Sequence, residues 1–329
     1  MKILITGGCG FIGSNLAVFL NEKIRNAKII SVDNLSRKGS ILNFKRLSKN
    51  KIKNFKLDIS KINKFPKFDL VVHCAAEPAI EVSRKKIDEV FNSNLIGTFN
   101  VLKECAKRKA DIIYLSSSRV YAIENLYNLK KKGSVKENFN VENFKSIYGF
   151  TKLSSELLIK EFSHLNKIKY LINRVALVSG PWQFGKEEQG FVSLWVWKHL
   201  NLLKLKYIGF GGTGKQVRDV LHILDLCELV LLQIKKIKKI HNKLLNVGGG
   251  SKNSLNLIQL TKLSSNITRN KMRIGSIKKT SSYDIPYFVS NIDYVKKLYK
   301  WSPKRDLKKI IADLHFWMKS NHSILKKYF

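Results

Sequence analysis

Short apolar runs alternate with longer amphipathic segments along the first half of the chain. The runs occupy residues 3–5, 29–32, 70–73, 112–115 and 170–172. Strands that are apolar throughout and are separated by helices are typical of a parallel sheet covered on both faces. We therefore predict an α/β fold with a doubly wound parallel sheet.

This alternation becomes looser after residue 175. Glycine-rich loops occupy 180–190 and 209–214, and residues 244–247 resemble a strand that returns to the sheet. Because the chain of 329 residues exceeds the usual size of a single core, we expect two domains. The predicted first domain comprises 1–175 and 214–248, and a smaller discontinuous C-terminal lobe comprises 176–213 and 249–329.

Composition adds few constraints on function. The formal net charge of +37 is extreme, but the lysines are spread along the chain, which favours solvated surfaces over nucleic-acid binding. Such a field would speed the arrival of an anionic small molecule. The four cysteines form no CxxC pair, so neither a disulfide framework nor a metal site is expected. No signal peptide or membrane span is recognisable, and we expect a soluble cytoplasmic protein.

A glycine motif follows the first apolar run. Gly8, Gly10 and Gly13 have the spacing GxGxxG between a predicted strand and a predicted helix, the context of a dinucleotide-binding turn. We expect Gly8 to allow the tight turn, Gly10 to admit a pyrophosphate and Gly13 to let the helix pack closely. The helix N-terminus would attract the phosphates.

An acidic residue follows the second predicted strand. Asp33 lies 20 positions after Gly13, the spacing at which a carboxylate binds the ribose hydroxyls of NAD. A carboxylate there repels a 2′-phosphate and favours NAD over NADP. Arg37 and Lys38 nearby leave NADP as the alternative.

Tyr148 and Lys152 are four residues apart, on one face of a predicted helix. A neighbouring ammonium group stabilises a phenolate, so we expect Lys152 to lower the pKa of Tyr148 towards that of a general acid/base. The serines at 116–118 end an earlier predicted strand, in the order that a short-chain oxidoreductase site requires.

These motifs resemble the extended short-chain dehydrogenase/reductase family of nucleotide-sugar enzymes, the NAD-dependent epimerases and dehydratases. The resemblance covers nearly the whole chain and rests on residues 6–14, 71–76, 92–98, 116–121, 148–152 and 218–225. Within the family, the stretches 33–39 and 214–222 are most similar to enzymes that epimerise CDP-linked deoxysugars at C2. The resemblance implies a Rossmann-like NAD-binding domain and a nucleotide-sugar-binding lobe.

The resemblance also implies residue roles. Tyr148 would be the catalytic base, Lys152 would hold the nicotinamide ribose, and Ser117 would bind the reacting hydroxyl. The implied NAD-binding residues are Gly7, Gly10, Phe11, Ile12, Gly13, Asp33, Asn34, Asp58, Ile59, Ala75, Ala76, Asn94, Tyr148 and Lys152. The implied substrate-binding residues are Ser117, Gln189, Gly190 and Arg218, with the Arg218 guanidinium on the diphosphate. Helices near 95–108 and 148–163 would pair in a homodimer or higher homo-oligomer.

Some positions leave alternatives open. His73 is expected to be a hydrogen-bonded strand-end residue rather than a base. Trp182, Phe184, Phe191 and Trp195 would form lobe core or stack on a nucleobase.

The reaction is also open at this point. Ser118 and Arg119 stand where related 4,6-dehydratases place an acidic pair, which argues against dehydration and for epimerisation. We expect 2-epimerisation of a CDP-deoxyhexose through a transient keto sugar. The alternatives are 4-epimerisation of a UDP-hexose and a sensor that binds a dinucleotide without catalysis.

Overall fold

The apolar runs of the first half form the centre of a seven-stranded sheet in the computed structural model. The structure describes residues 1–61, 64–78, 86–129, 133–186 and 189–329. Its strands are β1 (Lys2–Thr6), β2 (Lys28–Asp33), β3 (Lys53–Lys56), β4 (Leu70–His73), β5 (Asp111–Ser117), β6 (Tyr170–Val175), β7 (Leu177–Ser179), β8 (Lys206–Ile208), β9 (Val217–His222), β10 (Lys243–Val247), β11 (Ser254–Asn256), β12 (Gly275–Ile277) and β13 (Tyr287–Phe288).

The described helices are α1 (Phe11–Lys23), α2 (Ser40–Lys49), α3 (Ile87–Phe91), α4 (Gly97–Arg108), α5 (Ile123–Tyr127), α6 (Ile147–Asn166), α7 (Phe191–Leu200), α8 (Ile223–Lys236), α9 (Leu257–Thr268), α10 (Asp293–Tyr299), α11 (Leu307–Ser320) and α12 (His322–Leu325). A π-helical turn, Asn92–Ile96, joins α3 to α4, and a 3₁₀ turn, Ser118–Val120, follows β5.

The large sheet has the order β10-β6-β5-β4-β1-β2-β3. Neighbouring strands from β6 through to β3 run parallel, which confirms the predicted doubly wound α/β fold. The strand order reverses at β1 and β4. Ligands of such sheets bind outside the carboxyl ends of the strands at this reversal, because the loops leave in opposite directions and open a crevice.

The edge strand β3 was missed by the sequence analysis. Its sequence, KNFK, has one large apolar residue between polar ones, and all four side chains are exposed or half-buried. An edge strand buried on one side only needs little hydrophobic pattern, because its backbone pairing with β2 holds it in place. The core beside this sheet includes Leu4, Val71 and Ile112, each with no exposed surface.

The chain divides into two compact units. The first comprises Met1–Val120, Ser146–Val175 and Leu226–Leu245, and the second comprises Tyr121–Lys145, Ala176–Asp225 and Asn246–Phe329. Residues 121–145, 214–225 and 246–248, assigned from sequence to the first domain, are therefore in the second unit. Strand β9 explains the second segment, because it pairs with β7, β11 and β13.

The second unit has its own core. Helices α7, α9 and α11 contribute Trp195, Leu260 and Leu314 to it. Two parallel strands, β8 and β12, form a separate small sheet in this unit. In the described part of the chain, no helix is both long and apolar enough to cross a membrane.

Candidate active site

The glycines of the loop between β1 and α1 lie where a side chain would collide with neighbouring atoms. Gly7 has a φ of +65°, and a Cβ there would lie 2.8 Å from the backbone of Ala75 after β4. A Cβ on Gly13 would collide with the carbonyl oxygen of Gly7, so α1 packs directly on the turn. The left-handed residue of the turn is Gly7 and not Gly8, to which the sequence pattern had assigned the tight turn; Gly8 packs against Ser31 of β2.

Asp33 ends β2 and faces this loop. One carboxylate oxygen accepts a hydrogen bond from the backbone N–H of Cys9 at 3.0 Å, and the other accepts from the N–H of Leu35 at 2.8 Å. Burial raises the pKa of the Asp33 carboxyl, and these N–H groups act in the opposite direction. The carboxylate is therefore oriented by the backbone at the place where a ribose hydroxyl would donate.

A pocket of the first unit gathers the loops after β1, β2, β3 and β4. Its lining residues are Gly7, Gly10, Val32, Asp33, Asn34, Ser36, Arg37, Ser40, Leu57, Asp58, Ile59, Cys74, Ala75, Ala76, Glu77 and Ser93. The glycine backbone leaves room at the floor of this pocket, and the oriented carboxylate of Asp33 lies at its wall. Both features suit a dinucleotide. Phe11 and Ile12 begin α1 beside this pocket.

Other expected cofactor residues also have fixed positions. Asp58 accepts hydrogen bonds from the Ser60 backbone at 2.9 Å and from the Asn34 amide at 3.3 Å. Ile59 lies in the core and packs against Gly97 of α4. Arg37, which the sequence left as a possible NADP contact, pairs with Glu77 at 3.3 Å within the pocket lining, and only the structure reveals Glu77 there.

Asn94 lies in the π-helical turn, and its side chain is engaged by protein groups. Its oxygen accepts from the backbone N–H of Glu77 at 2.7 Å, and its amide donates to the Glu77 carbonyl and to the Thr151 hydroxyl. Asn94 therefore holds the loop after β4 against α6. Asn94 thus supports the site by joining these two elements.

Helix α6 carries the tyrosine and the lysine. Its N-terminus is capped by Ser146, whose hydroxyl accepts from the backbone N–H of Gly149 at 3.1 Å. Tyr148 and Lys152 are 9% and 2% exposed, so both lie on the buried face of the helix, as their spacing predicts. The Lys152 ammonium lies 4.1 Å from the centroid of the Tyr114 ring, a cation–π contact.

The electrostatics differ from the expectation. Burial raises the pKa of the Tyr148 phenol, whereas a hydrogen bond with Ser117 and the charge of Arg119 lower it. Burial also lowers the pKa of Lys152 to about 7. The expected lowering of the pKa of Tyr148 by Lys152 is not what the structure shows, because both groups have lost the water that stabilises their charged forms.

Ser117 joins this pair from the end of β5. Its oxygen accepts from the backbone N–H of Arg119 at 3.2 Å, which leaves its own hydroxyl hydrogen to donate to Tyr148. Such a donor favours the phenolate. The structure therefore brings Ser117, Tyr148 and Lys152 together within the first unit.

The expected substrate residues of the second unit lie on two segments. The Arg218 guanidinium donates to Asp284 at 2.8 Å and to the Ile285 carbonyl at 2.6 Å. Gln189 forms a bridge with Lys186, and Gly190, with a φ of +77°, precedes α7. The ion pair with Asp284, which is 66 positions away, could not be predicted from the sequence.

The four aromatic residues of the lobe belong to its core. Trp182 and Phe184 contact Trp317, and Trp195 stacks on Tyr207. Phe191 packs against the same cluster. In the described ranges, no group of three or more His, Cys, Asp or Glu side chains is placed to hold a metal ion.

Comparison with known proteins agrees with this geometry. Residues 3–248 match a family described as the NAD dependent epimerase/dehydratase family. A CDP-paratose 2-epimerase of Salmonella typhi is 31% identical, over 97% of this chain and all of that protein. A putative UDP-glucose 4-epimerase of Methanocaldococcus jannaschii is also 31% identical, over 97% of this chain and 99% of that protein.

Solved structures are similar over the same extent. A UDP-glucose 4-epimerase of Thermotoga maritima, solved with UDP-glucose, has a TM-score of 0.86 at 25% identity and covers 98% of this chain and all of its own. A UDP-glucuronic acid 4-epimerase of Bacillus cereus, solved with UDP-glucuronic acid and NAD, has a TM-score of 0.85 at 26% identity, over 97% of this chain and 99% of its own. The chain belongs to the NAD-dependent epimerase/dehydratase family.

Proposed function

We propose that this protein is a CDP-deoxyhexose 2-epimerase of the CDP-paratose to CDP-tyvelose type. The observation that carries epimerisation is the arrangement of Ser117, Tyr148 and Lys152 together with Ser118 and Arg119 at the next two positions. A dehydratase needs an acid and a base beside the Ser/Thr to eliminate water. This chain has a hydroxyl and a guanidinium there.

The protein groups divide the work as follows. Tyr148 removes the proton of the sugar hydroxyl, and Ser117 donates a hydrogen bond that supports the phenolate. NAD, when bound, would supply the hydride acceptor for oxidation of the carbon that bears this hydroxyl and the hydride donor for its reduction. Asp33 and the turn at Gly7 hold the coenzyme, so that it remains bound between these two events.

Epimerisation also requires the keto sugar to present its other face. We propose that Arg218 binds the diphosphate during this rotation, because a guanidinium fork matches phosphate oxygens in shape and charge. In the structure the guanidinium of Arg218 forms an ion pair with the carboxylate of Asp284. A diphosphate would compete with it for the same donors.

The choice of CDP sugar rests on similarity over the full length to the Salmonella typhi enzyme. A second candidate, 4-epimerisation of a UDP-hexose, is favoured by the equal identity to the putative UDP-glucose 4-epimerase and by the solved UDP-sugar epimerases. The two reactions need the same protein groups and differ in the carbon presented to the coenzyme.

A substrate panel tests the proposal. Purified protein is incubated with CDP-paratose, UDP-glucose and UDP-glucuronic acid, and the stereochemistry of the products is determined by NMR. We expect inversion at C2 of the CDP sugar, with a deuterium at C2 retained in the product. Inversion at C4 of a UDP sugar alone would establish the second candidate. Conversion of none of the three would favour a sensor that binds the dinucleotide.

A further inference from the structure

A third ionisable residue continues the stripe formed by Tyr148 and Lys152. Glu156 lies four positions after Lys152 on α6 and is 1% exposed. Residues four apart share a helix face, so all three point to the same side. A carboxylate with this little exposed surface needs partners of its own.

The structure provides two such partners. Arg174 donates from Nη2 to Glu156 Oε2 at 2.7 Å and from Nε to both carboxylate oxygens at 3.1 and 3.2 Å. The Ser116 hydroxyl donates to Oε1 at 2.5 Å. Arg174 is itself 5% exposed, so this is a buried ion pair completed by a hydroxyl group.

These partners lie on two adjacent strands. Ser116 of β5 and Arg174 of β6 face each other in the register of the sheet. Ser116 directly precedes Ser117, whose hydroxyl contacts Tyr148. One carboxylate therefore links the helix that carries Tyr148 and Lys152 to the strand that carries Ser117.

Glu156 also affects the charge of Lys152. Burial lowers the pKa of Lys152 to about 7, and the negative charge of Glu156 acts against this lowering. A carboxylate one helical turn away thus favours the ammonium form that the site needs. The neighbouring Cys74 and His73 carry no charge where Lys152 titrates, because burial raises the pKa of the Cys74 thiol to about 12 and lowers that of His73 to about 3.

We propose that Glu156 is a positioning residue: its carboxylate fixes α6 to the ends of β5 and β6, so that Ser117 meets Tyr148, and it keeps Lys152 charged. This inference rests on the proposed epimerase function, whichever sugar is the substrate. It assigns no contact between Glu156 and the substrate or coenzyme.

The test uses Glu156→Gln, which keeps the shape of the side chain and removes its charge. We expect kcat to fall by up to about 100-fold, because misplacement of reacting groups by an ångström has effects of that size. KM for the nucleotide sugar is expected to stay unchanged. The high-pH limb of the kcat profile is expected to move to lower pH, because Lys152 loses its proton more easily.

A second readout does not depend on turnover. In protein labelled with [13C]lysine, the Lys152 Cε resonance is identified by its absence in Lys152→Met and is titrated with pH. We expect a lower pKa for Lys152 in Glu156→Gln than in the parent protein. An unchanged titration together with an unchanged pH profile would overturn the inference.

The matched control is Asp225→Asn in the second unit. Asp225 is fully buried and pairs with Arg305 at 2.5 Å, so this variant also loses one charge of a buried pair. We expect a lower Tm without a shift of the pH profile. Should Glu156→Gln fold poorly, the double variant with Arg174→Met also removes the guanidinium left without a carboxylate. It must show a shift in the same direction but smaller, because loss of the guanidinium charge raises the pKa of Lys152. If the parent protein converts no nucleotide sugar, the proposed function fails, while the Lys152 titration still decides the role of Glu156.

Discussion

His73 Nε2 lies 2.9 Å from the hydroxyl oxygen of Thr98, and the surrounding bonds determine where the histidine proton resides. The Thr98 hydroxyl donates to the carbonyl oxygen of Asn94 at 2.5 Å, so it accepts from the Nε2–H of His73. Nδ1 then accepts from the hydroxyl of Thr6 at 2.5 Å. His73 is therefore a neutral link between β1, β4 and the turn that carries Asn94, as expected for a strand-end residue.

This arrangement predicts sensitivity to acid. Burial lowers the pKa of His73 to about 3, whereas the unfolded chain has the ordinary value of 6.5. Between these values the unfolded state binds the proton that the folded state excludes, so stability is lost as the pH falls from about 6.5 towards 3. We expect this group to contribute on the order of 5 kcal/mol to that loss.

Urea unfolding at pH 7.0, 5.5 and 4.5 measures this effect. His73→Asn should show a smaller loss of the free energy of unfolding over this range than the parent protein. Exposed His164, replaced in the same way, serves as control and should leave the loss unchanged. Equal losses in the parent protein and His73→Asn would contradict the assignment.

Gly7→Ala should abolish NAD binding. The new Cβ would meet the Ala75 backbone at 2.8 Å, and the residue would have to keep a φ of +65°. We expect a loss of about 1–3 kcal/mol in the free energy of unfolding from the strained conformation alone. Calorimetric titration with NAD and urea unfolding measure the two effects.

Gly211→Ala is the control for this change. Gly211 has a similar φ of +72°, but a Cβ there would meet only Thr213 at 3.7 Å. We expect it to share the strain and to keep NAD binding. If Gly7→Ala bound NAD as tightly as Gly211→Ala, the turn would not be the pyrophosphate site.

Tyr148→Phe should eliminate turnover and leave NAD bound. The variant removes the hydroxyl that accepts the proton and keeps the ring, so we expect kcat to fall by at least about 100-fold. Tyr299→Phe, which removes a buried hydroxyl of the second unit, should keep its activity. Undiminished epimerisation by Tyr148→Phe would remove the proposed base.

Arg218→Lys should weaken substrate binding. Lysine keeps the charge but loses the planar fork that donates to Asp284 and, by our proposal, to the diphosphate. We expect KM for the nucleotide sugar to rise by roughly 10- to 100-fold, the size of one or two charge-assisted hydrogen bonds. Steady-state kinetics measure it, and the exposed cation Lys215, which lies two residues before β9, should leave KM unchanged when it is replaced by alanine. An unchanged KM in Arg218→Lys would place the diphosphate elsewhere.

The family resemblance predicts a homodimer through the helices near 95–108 and 148–163. On α6, Phe150 and Leu157 are 49% and 55% exposed and lie seven positions apart, so they share one face. We expect Phe150→Glu with Leu157→Glu to convert a dimer to a monomer, measured by size exclusion with light scattering. Phe316→Glu, at a residue 74% exposed in the second unit, should not. A parent protein that is monomeric would refute the prediction.

The features of this protein that depend on residues close together in the chain could be predicted from the sequence. Apolar runs separated by amphipathic segments predicted the parallel sheet, because strand and helix impose different periods on buried positions. Glycine spacing before a helix predicted the coenzyme turn, and a spacing of four predicted that Tyr148 and Lys152 share a face. The spacing of four from Lys152 to Glu156 was equally visible in the sequence, but Glu156 was not identified from it.

Only the tertiary structure decided the groups that depend on distant residues. The proposed role of Glu156 depends on Ser116 and Arg174, which are 40 and 18 positions away. Arg218 is paired with a residue 66 positions away. The direction of the pKa shift of Tyr148 likewise follows from burial, which chain neighbours do not set. Backbone periodicity is a property of consecutive residues, so the order of the residues specifies it. Side-chain pairing and desolvation arise where distant segments of the chain come into contact. The order of the residues alone does not specify those contacts.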